Sequence, residues 1–211
     1  MPPCCNVLVS CYLYYYTFSG DESNRMIYNQ SVCPHPFTLA LIRGQGQTRR
    51  QRDFVRTAVR AVTQDEGRLL MVYSARDGDY KFPGGGVQSG EKHAEALARE
   101  LREEAGRQLS RITALLGVTI ELDISPVDSR STFRMISFYY LCELDAATYP
   151  LSLDRYEKAL GFTPAWVTLE KALENNQHLR NRAGWQEPFW LARETAVLQT
   201  LRSLYVSGLT P

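Results

Sequence analysis

Stretches rich in β-branched and aromatic residues alternate along this chain with polar segments that contain Gly, Asp or Pro. Residues of the first kind favour strands, because their side chains pack well on a pleated surface. Strands or short extended segments are predicted, in chain order, at 56–64, 68–76, 80–87, 112–124, 131–145 and 163–169. Turn residues at 65–67 and 77–79 separate the first three, so the chain is expected to form a hairpin and then an extended piece.

A helical spacing of apolar residues follows the glycines that end the segment 80–87. Ser89 is the predicted N-cap of this helix, and Gly106 can end it in the left-handed conformation. The apolar stripe consists of Ala94, Leu97, Ala98, Leu101 and Ala105. Further helices are predicted to start at 170–177 and to cover 188–205, with Pro188 at the beginning. Strands punctuated by helices predict an α/β fold, in which helices pack on the faces of a sheet.

The length of 211 residues suits one well-buried domain. A compact domain is predicted at 54–211, preceded by an extension and linker of unknown role at 1–53, with the polar linker itself at 44–53. The first 18 residues are apolar and aromatic, and 20–35 resemble a loop. That first stretch is too short and too polar for a membrane span, so it is interpreted as an extra strand or as residues upstream of the true start codon.

Composition and charge narrow the classes of function. The chain is 44% hydrophobic and 22% charged, as globular proteins are, and its net charge of +1 argues against a broad binding surface for nucleic acid. Four of the five cysteines lie in the first 33 residues without the spacing of a zinc site, which predicts free thiols in a reducing cytoplasm. Small phosphorylated ligands remain compatible with this composition, and so does an oligomer.

Three glutamates crowd one side of the first predicted helix. Glu100, Glu103 and Glu104 occupy positions i, i+3 and i+4, so their carboxylates are expected to point the same way, beside the apolar stripe, and to repel one another. One interpretation is a solvated acidic face that Arg99 and Arg107 relieve. The other is a site for a hard divalent cation such as Mg²⁺, which carboxylates, waters and substrate phosphates bind together.

The residues around these glutamates resemble the box of the Nudix hydrolase (MutT-like) family, G-x5-E-x7-R-E-U-x-E-E-x-G-U, where U is aliphatic. The matching residues are Gly85, Glu91, Arg99, Glu100, Leu101, Glu103, Glu104 and Gly106. Arg107 departs from the pattern, because the box ends on an aliphatic residue. The resemblance covers roughly 54–205 and implies an α/β/α sandwich with a mixed sheet between helices. It also implies hydrolysis of a nucleoside diphosphate linked to another group, by attack of a metal-activated water on phosphorus.

The resemblance also assigns roles to residues of the box. Glu100, Glu103 and Glu104 would be the ligands of Mg²⁺, with Mn²⁺ as an alternative, and Glu103 and Glu104 would thereby be catalytic. Arg99 would hold a box glutamate in place. Glu91 would support the loop or a metal-bound water. Gly85 and Gly86 would allow close approach to metal and phosphate, and Gly106 would end the helix.

Many members of the family use one further glutamate outside the box as general base or extra ligand. Glu121, Glu143 and Glu157 are the candidates, and Glu157 is preferred because it precedes the strand 163–169, although a solvated loop acid would look the same. Tyr80 and Phe82 lead into the glycine loop, where they would either stack on a base or pack in the core.

The box does not select the substrate. Marks that family members carry outside it for ADP-ribose, coenzyme A, NADH or dinucleoside polyphosphates are absent here. Exclusion therefore leaves a nucleoside triphosphate, including an oxidised one, as the predicted small-molecule substrate. The alternatives are an ADP-ribose or nucleotide-sugar pyrophosphatase, an RNA 5′-end pyrophosphohydrolase, and a module that senses a nucleotide without cleaving it.

Overall fold

A computed structural model describes residues 6–9, 36–42, 53–124, 131–182 and 190–206. Within these ranges the chain forms nine strands and four helices. The strands are β1 (Asn6–Val9), β2 (Phe37–Ile42), β3 (Asp53–Val62), β4 (Gln64–Asp65), β5 (Arg68–Ser74), β6 (Tyr80–Lys81), β7 (Arg107–Ile124), β8 (Thr132–Thr148) and β9 (Phe162–Thr168). The helices are α1 (His93–Ala105), α2 (Arg155–Leu160), α3 (Leu169–Arg180) and α4 (Leu191–Val206).

Two sheets form the centre of the fold. The larger one has the order β1-β2-β7-β8-β3 and is mixed, because β2 pairs with β7 and β3 with β8 in parallel whereas β7 and β8 form an antiparallel hairpin. The smaller one is antiparallel, with the order β4-β5-β6 and with β9 paired to the other edge of β5.

Side chains that alternate along the strands build two apolar layers. On β3, Val59 and Ala61 pack with α1, while Val62 packs with α3 and α4 on the opposite side. On β8, Tyr140 likewise joins the α1 layer, and Tyr139 joins the layer under α4. Because successive side chains of a strand point to opposite faces, one sheet separates the two groups of helices. The predicted α/β/α sandwich with a mixed sheet is confirmed.

Several element boundaries differ from the sequence-based expectation. The first helix begins at His93 with Lys92 as its N-cap, so the prediction that Ser89 caps it is wrong. Gly106 does end it in the left-handed conformation, at φ 62°. A short helix that the sequence analysis did not assign, α2, also forms at Arg155–Leu160. Pro188 and the predicted loop and linker at 20–35 and 44–52 lie outside the described residues. None of the helices that the structure describes is both long and apolar enough to span a membrane.

The extension before residue 54 contributes to the larger sheet. β2 runs parallel to β7, and its Leu39 and Leu41 are buried in the apolar layer under α4. β1 pairs with the outer edge of β2, which agrees with an extra strand near the N-terminus. The division of the chain into an extension at 1–53 and a domain at 54–211 stays a prediction, but the extension packs on the domain through β2.

Candidate active site

The glycine loop between β6 and α1 is tied to β3 by backbone hydrogen bonds. Ala61 donates to the carbonyl of Pro83 at 2.8 Å, and Val59 donates to the carbonyl of Gly85 at 3.0 Å. The loop therefore lies along the edge of β3, and β8 pairs with the opposite edge of that strand. These hydrogen bonds fix the backbone of the glycine loop, and the carboxylates of α1 lie beside that backbone.

Two glycines of the loop are required by close contacts. A Cβ at Gly85 would lie 2.4 Å from Oε1 of Glu100, so any other residue there would displace that carboxylate from its present position. Gly84 has φ +138°, and a Cβ there would lie 2.1 Å from the carbonyl oxygen of Val59. Its N–H donates to Oε2 of Glu104 at 2.8 Å, and its carbonyl accepts a hydrogen bond from Arg60. The loop thus presents backbone directly to the box carboxylates.

The helix presents its glutamates differently from the prediction. Glu100 and Glu104 are 6% and 1% exposed and lie on the buried face of α1, not beside it. The side chain of Glu103 is 38% exposed, and Ala94, which was assigned to the apolar stripe, is exposed. Glu100 and Glu104 are four residues apart and therefore project from the same face of α1, the face that packs on the fold. Glu103 projects to one side of that face and is partly exposed to solvent.

Three carboxylates converge where α1 meets α2. Single oxygen atoms of Glu100, Glu104 and Glu157 all lie within 4.8 Å of one another. Glu103 is outside this group. Three carboxylate oxygens so close together suit a hard divalent cation, which prefers oxygen ligands. The space that Gly85 leaves beside Glu100 also fits a site where backbone, carboxylate and cation approach closely.

The electrostatics of the cluster reflect this crowding. Burial, and next the charge of Glu104, raise the pKa of Glu100 above its usual range. Burial is also the largest cause of the raised pKa of Glu157, to which Glu104 contributes in the same direction. Like charges in a poorly solvated place disfavour one another, so a bound cation would stabilise the ionised form of all three.

Arg99 holds the box together on its exposed side. Its guanidinium makes a bidentate pair with Glu91 at 2.8 and 3.0 Å and also donates to Glu100 at 2.7 Å and to Glu103 at 3.2 Å. A further hydrogen bond reaches the carbonyl of Gly86 at 3.0 Å. Hydrogen bonding to Arg99 is the main cause of the lowered pKa of Glu91. Glu91 in turn accepts the N–H of Gln88 at 2.8 Å, so it supports the loop through both contacts.

Glu157 reaches the cluster from a short helix that caps itself. It is the third residue of α2, where its N–H donates to Oδ1 of Asp154 and its Oε2 accepts the N–H of Asp154, each at 2.8 Å. This capping box fixes the side chain. The two remaining candidates are paired elsewhere. Glu143 is exposed and binds Arg111 at 2.7 Å, and Glu121 is buried with Arg193 at 2.7 Å.

Three residues that were expected to contact the substrate each pack against a different part of the protein. The ring of Phe82 is fully buried and packs edge-on against Tyr139, so core packing, the alternative interpretation, describes it. Tyr80 packs on Tyr73 with ring centroids 5.1 Å apart, while its backbone is held by the amide of Asn176. A Cβ at Gly86 would lie 2.8 Å from Nη2 of Arg56, because the guanidinium of Arg56 covers this glycine.

Sequence reasoning missed several residues of the site. Lys81 donates to Oε1 of Glu104 at 2.5 Å, and Arg60 bonds the carbonyl of Gly84 from the next strand. Gly84 itself was passed over in favour of its neighbours. These residues lie outside the spacing of the box, and the only signal for them was their proximity to the glycines.

The arrangement of the box residues around the glycine loop agrees with the family to which the sequence is similar. A family model for the NUDIX domain matches residues 53–186, well over half of the 211 residues. The chain belongs to the Nudix domain family. The resemblance that the box predicted is therefore confirmed, and the match begins with the first residue of β3.

Individual relatives of this Nudix protein cover smaller parts of it. The nucleoside triphosphatase NudI of Escherichia coli is 46% identical over 59 residues, which are 26% of this chain and 42% of that protein. An RNA pyrophosphohydrolase of Halorhodospira halophila is 45% identical over 58 residues, 28% of this chain and 32% of that relative. The MutT structure from Bacillus halodurans matches at 20% identity and a TM-score of 0.44, covering 57% and 72% of the two chains. The chain thus spans less than half the length of these curated relatives.

Proposed function

We propose that this protein is a Mg²⁺-dependent pyrophosphohydrolase that cleaves a phosphoric anhydride bond of a nucleoside triphosphate, oxidised nucleotides included. The observation that carries the proposal is the convergence of Glu100, Glu104 and Glu157 within 4.8 Å beside the glycine loop. Family membership supports it, because Nudix hydrolases generally use divalent cations. The similarity to the nucleoside triphosphatase NudI, 46% identical over 59 residues, favours the substrate class.

Glu100 and Glu104 would hold the cation, with Mn²⁺ as an alternative to Mg²⁺, and Glu157 would lie beside it. When bound, such a cation lowers the pKa of water and offsets the charge that develops on phosphoryl oxygens. Glu103 would act at the edge of the site through Arg99, to which it is bonded. Arg99 and Glu91 would keep the loop and Glu100 in place, so that the carboxylates need no rearrangement on binding.

Glu157 would be the general base. Its Oε2 accepts the N–H of Asp154, which leaves Oε1 to take the proton of the attacking water. Its raised pKa, caused first by burial, brings the carboxylate closer to the pH at which it must accept a proton. The water oxygen forms a bond to phosphorus and the bridging P–O bond breaks. The bridging oxygen keeps the electron pair and leaves as part of the second phosphate-containing product.

Replacement of Glu157 by Gln tests this role. Gln can keep the capping box of α2 but cannot act as a base, so kcat is expected to fall by about 10²–10⁴-fold with little change in KM. Glu95→Gln is the matched control, because Glu95 is also the third residue of its helix, accepts the backbone N–H of the N-cap residue Lys92, and is exposed. A nearly silent Glu157→Gln would show that Glu157 serves only the cap.

The substrate class is tested by assay of purified protein with Mg²⁺ against nucleoside triphosphates, oxidised nucleotides, ADP-ribose, nucleotide sugars and RNA with a 5′-triphosphate. Release of phosphate or pyrophosphate from the free triphosphates is the expected result. Cleavage of RNA ends alone would favour the activity named for the Halorhodospira halophila relative. Binding of nucleotides without any cleavage would favour a sensing module.

A further inference from the structure

Lys81 places a positive charge inside the carboxylate cluster. Its Nζ lies 2.5 Å from Oε1 of Glu104, and the two side chains are only 12% and 1% exposed. Oε2 of the same carboxylate is bonded to the N–H of Gly84. Both oxygens of Glu104 are therefore engaged by groups of the protein, and one of these groups is a full cation.

The lysine is held there from two sides. It is the second residue of β6, which pairs with Val72 of β5, and its ammonium lies 4.1 Å from the centre of the Phe162 ring on β9. A cation over an aromatic face is attracted to it. Two strands and one ring thus aim the side chain at Glu104.

The charge of Lys81 also reaches Glu157. Burial raises the pKa of Glu157, and the ammonium of Lys81 acts in the opposite direction. Lys81 therefore offsets part of the repulsion among the three carboxylates. A divalent cation that binds Glu104 would lie close to the positive charge of Lys81, which is at hydrogen-bond distance from the same carboxylate. The two positive charges repel each other.

We propose that Lys81 competes with the divalent cation for the carboxylate of Glu104. Without a cation, the ammonium of Lys81 is paired with Glu104. When a cation binds, the ammonium is displaced and pairs instead with the phosphate oxygens of the substrate. The inference rests on the proposed metal site. Competition of this kind sets how tightly the cation is held without substrate. It also couples cation binding to the release of a side chain that can neutralise the incoming phosphates.

The test is the affinity of the protein for Mn²⁺ alone, measured by electron paramagnetic resonance at low ionic strength. Lys81→Gln keeps an N–H donor for Glu104 but removes the charge, so Mn²⁺ is expected to bind about tenfold tighter or more. In the activity assay the same variant should raise KM for the nucleotide. Lys171→Gln, which removes an exposed lysine from α3, is the control and should change neither quantity.

The outcomes separate this inference from the proposed function. Unchanged or weaker Mn²⁺ binding by Lys81→Gln, alongside clear loss of binding by Glu104→Gln, overturns the competitor role and leaves the metal site standing. Equal Mn²⁺ binding by Glu104→Gln and the unaltered protein overturns both. If Lys81→Gln does not fold, Phe162→Leu decides, because it removes the ring beneath the ammonium. Tighter Mn²⁺ binding by that variant supports the proposal, and unchanged binding overturns it.

Discussion

At the scale of residues, the site depends on which side of one helix faces the fold. Glu100 and Glu104 are buried on the same face as Leu97 and Leu101, whereas Glu103 is partly exposed and bonded to Arg99. Burying carboxylates is unfavourable unless they are paired or bind a cation. Arg99 pairs with Glu100 and Lys81 pairs with Glu104, so the convergence of these two carboxylates with Glu157, and not their burial alone, indicates a cation site.

Glu103 and Glu104 should differ when each is replaced by Gln. Glu104→Gln removes a member of the converging cluster, and kcat is expected to fall on the order of 10²–10⁴-fold. Glu103→Gln alters a residue that acts through Arg99, so a smaller loss of about 10–100-fold is expected. Steady-state kinetics at saturating Mg²⁺ measure both, with circular dichroism to verify the fold. Equal losses would place Glu103 among the cation ligands.

At the scale of elements, the turn before β6 is fastened to the start of α4. Asp79 is 1% exposed, and its Oδ2 accepts a hydrogen bond of 2.6 Å from the indole of Trp190, which immediately precedes α4. Burial raises the pKa of Asp79 to about 6, although the bond from Trp190 acts in the opposite direction. This contact connects α4 to the strand that carries Lys81.

Asp79 should make stability depend on pH. Its pKa is higher in the folded than in the unfolded chain, so its favourable contribution is present below about pH 4 and is lost as pH rises through about 6. Asp79→Asn keeps an oxygen for Trp190 and cannot ionise. We expect the variant to be more stable than the unaltered protein at pH 7.5, by at most about 3 kcal/mol.

Urea unfolding at pH 7.5 and at pH 4.5 measures this difference. Glu100 and Glu157 also have raised pKa values and are present in both proteins, so the comparison isolates Asp79. An advantage of Asp79→Asn that is as large at pH 4.5 as at pH 7.5 would contradict the prediction.

At the scale of the whole molecule, the larger sheet joins the extension to the Nudix domain. β2 pairs with β7, the strand that follows the box helix directly, and buries Leu39 and Leu41 under α4. On the same strand β7, Glu121 binds Arg193 of α4, which also binds Glu194. Glu194 accepts the N–H of Phe82 at 3.3 Å, so this buried network connects the sheet and α4 to the glycine loop.

The sequence left the role of the extension at 1–53 unknown, but the packing of β2 argues against its free removal. Leu39→Ala should lower the free energy of unfolding by about 2–5 kcal/mol, as for other buried leucines. Thr38→Ala, at an exposed position of the same strand, is the control and should have a small effect. Equal stability of the two variants, measured by urea unfolding, would show that β2 contributes little to the core.

The sequence by itself determined the local part of the site. Arg99, Glu100 and Glu104 belong to one helix and Glu91 precedes it closely, so helical geometry and a short loop suffice to bring them together. From residue 53 onward the order of the strands and of the longer helices likewise followed from residue types, whereas the strand β2 was not predicted.

Only the tertiary structure decided the rest. The face of α1 that is buried depends on the sheet it packs against, which is why Glu100 and Glu104, not Ala94, point inward. Glu157 joins the cluster from an element that lies more than 50 residues further along the chain. Lys81 reaches Glu104 only because β6 pairs with β5 beside Phe162. Contacts between distant segments depend on how whole layers pack, and no spacing within one segment encodes them.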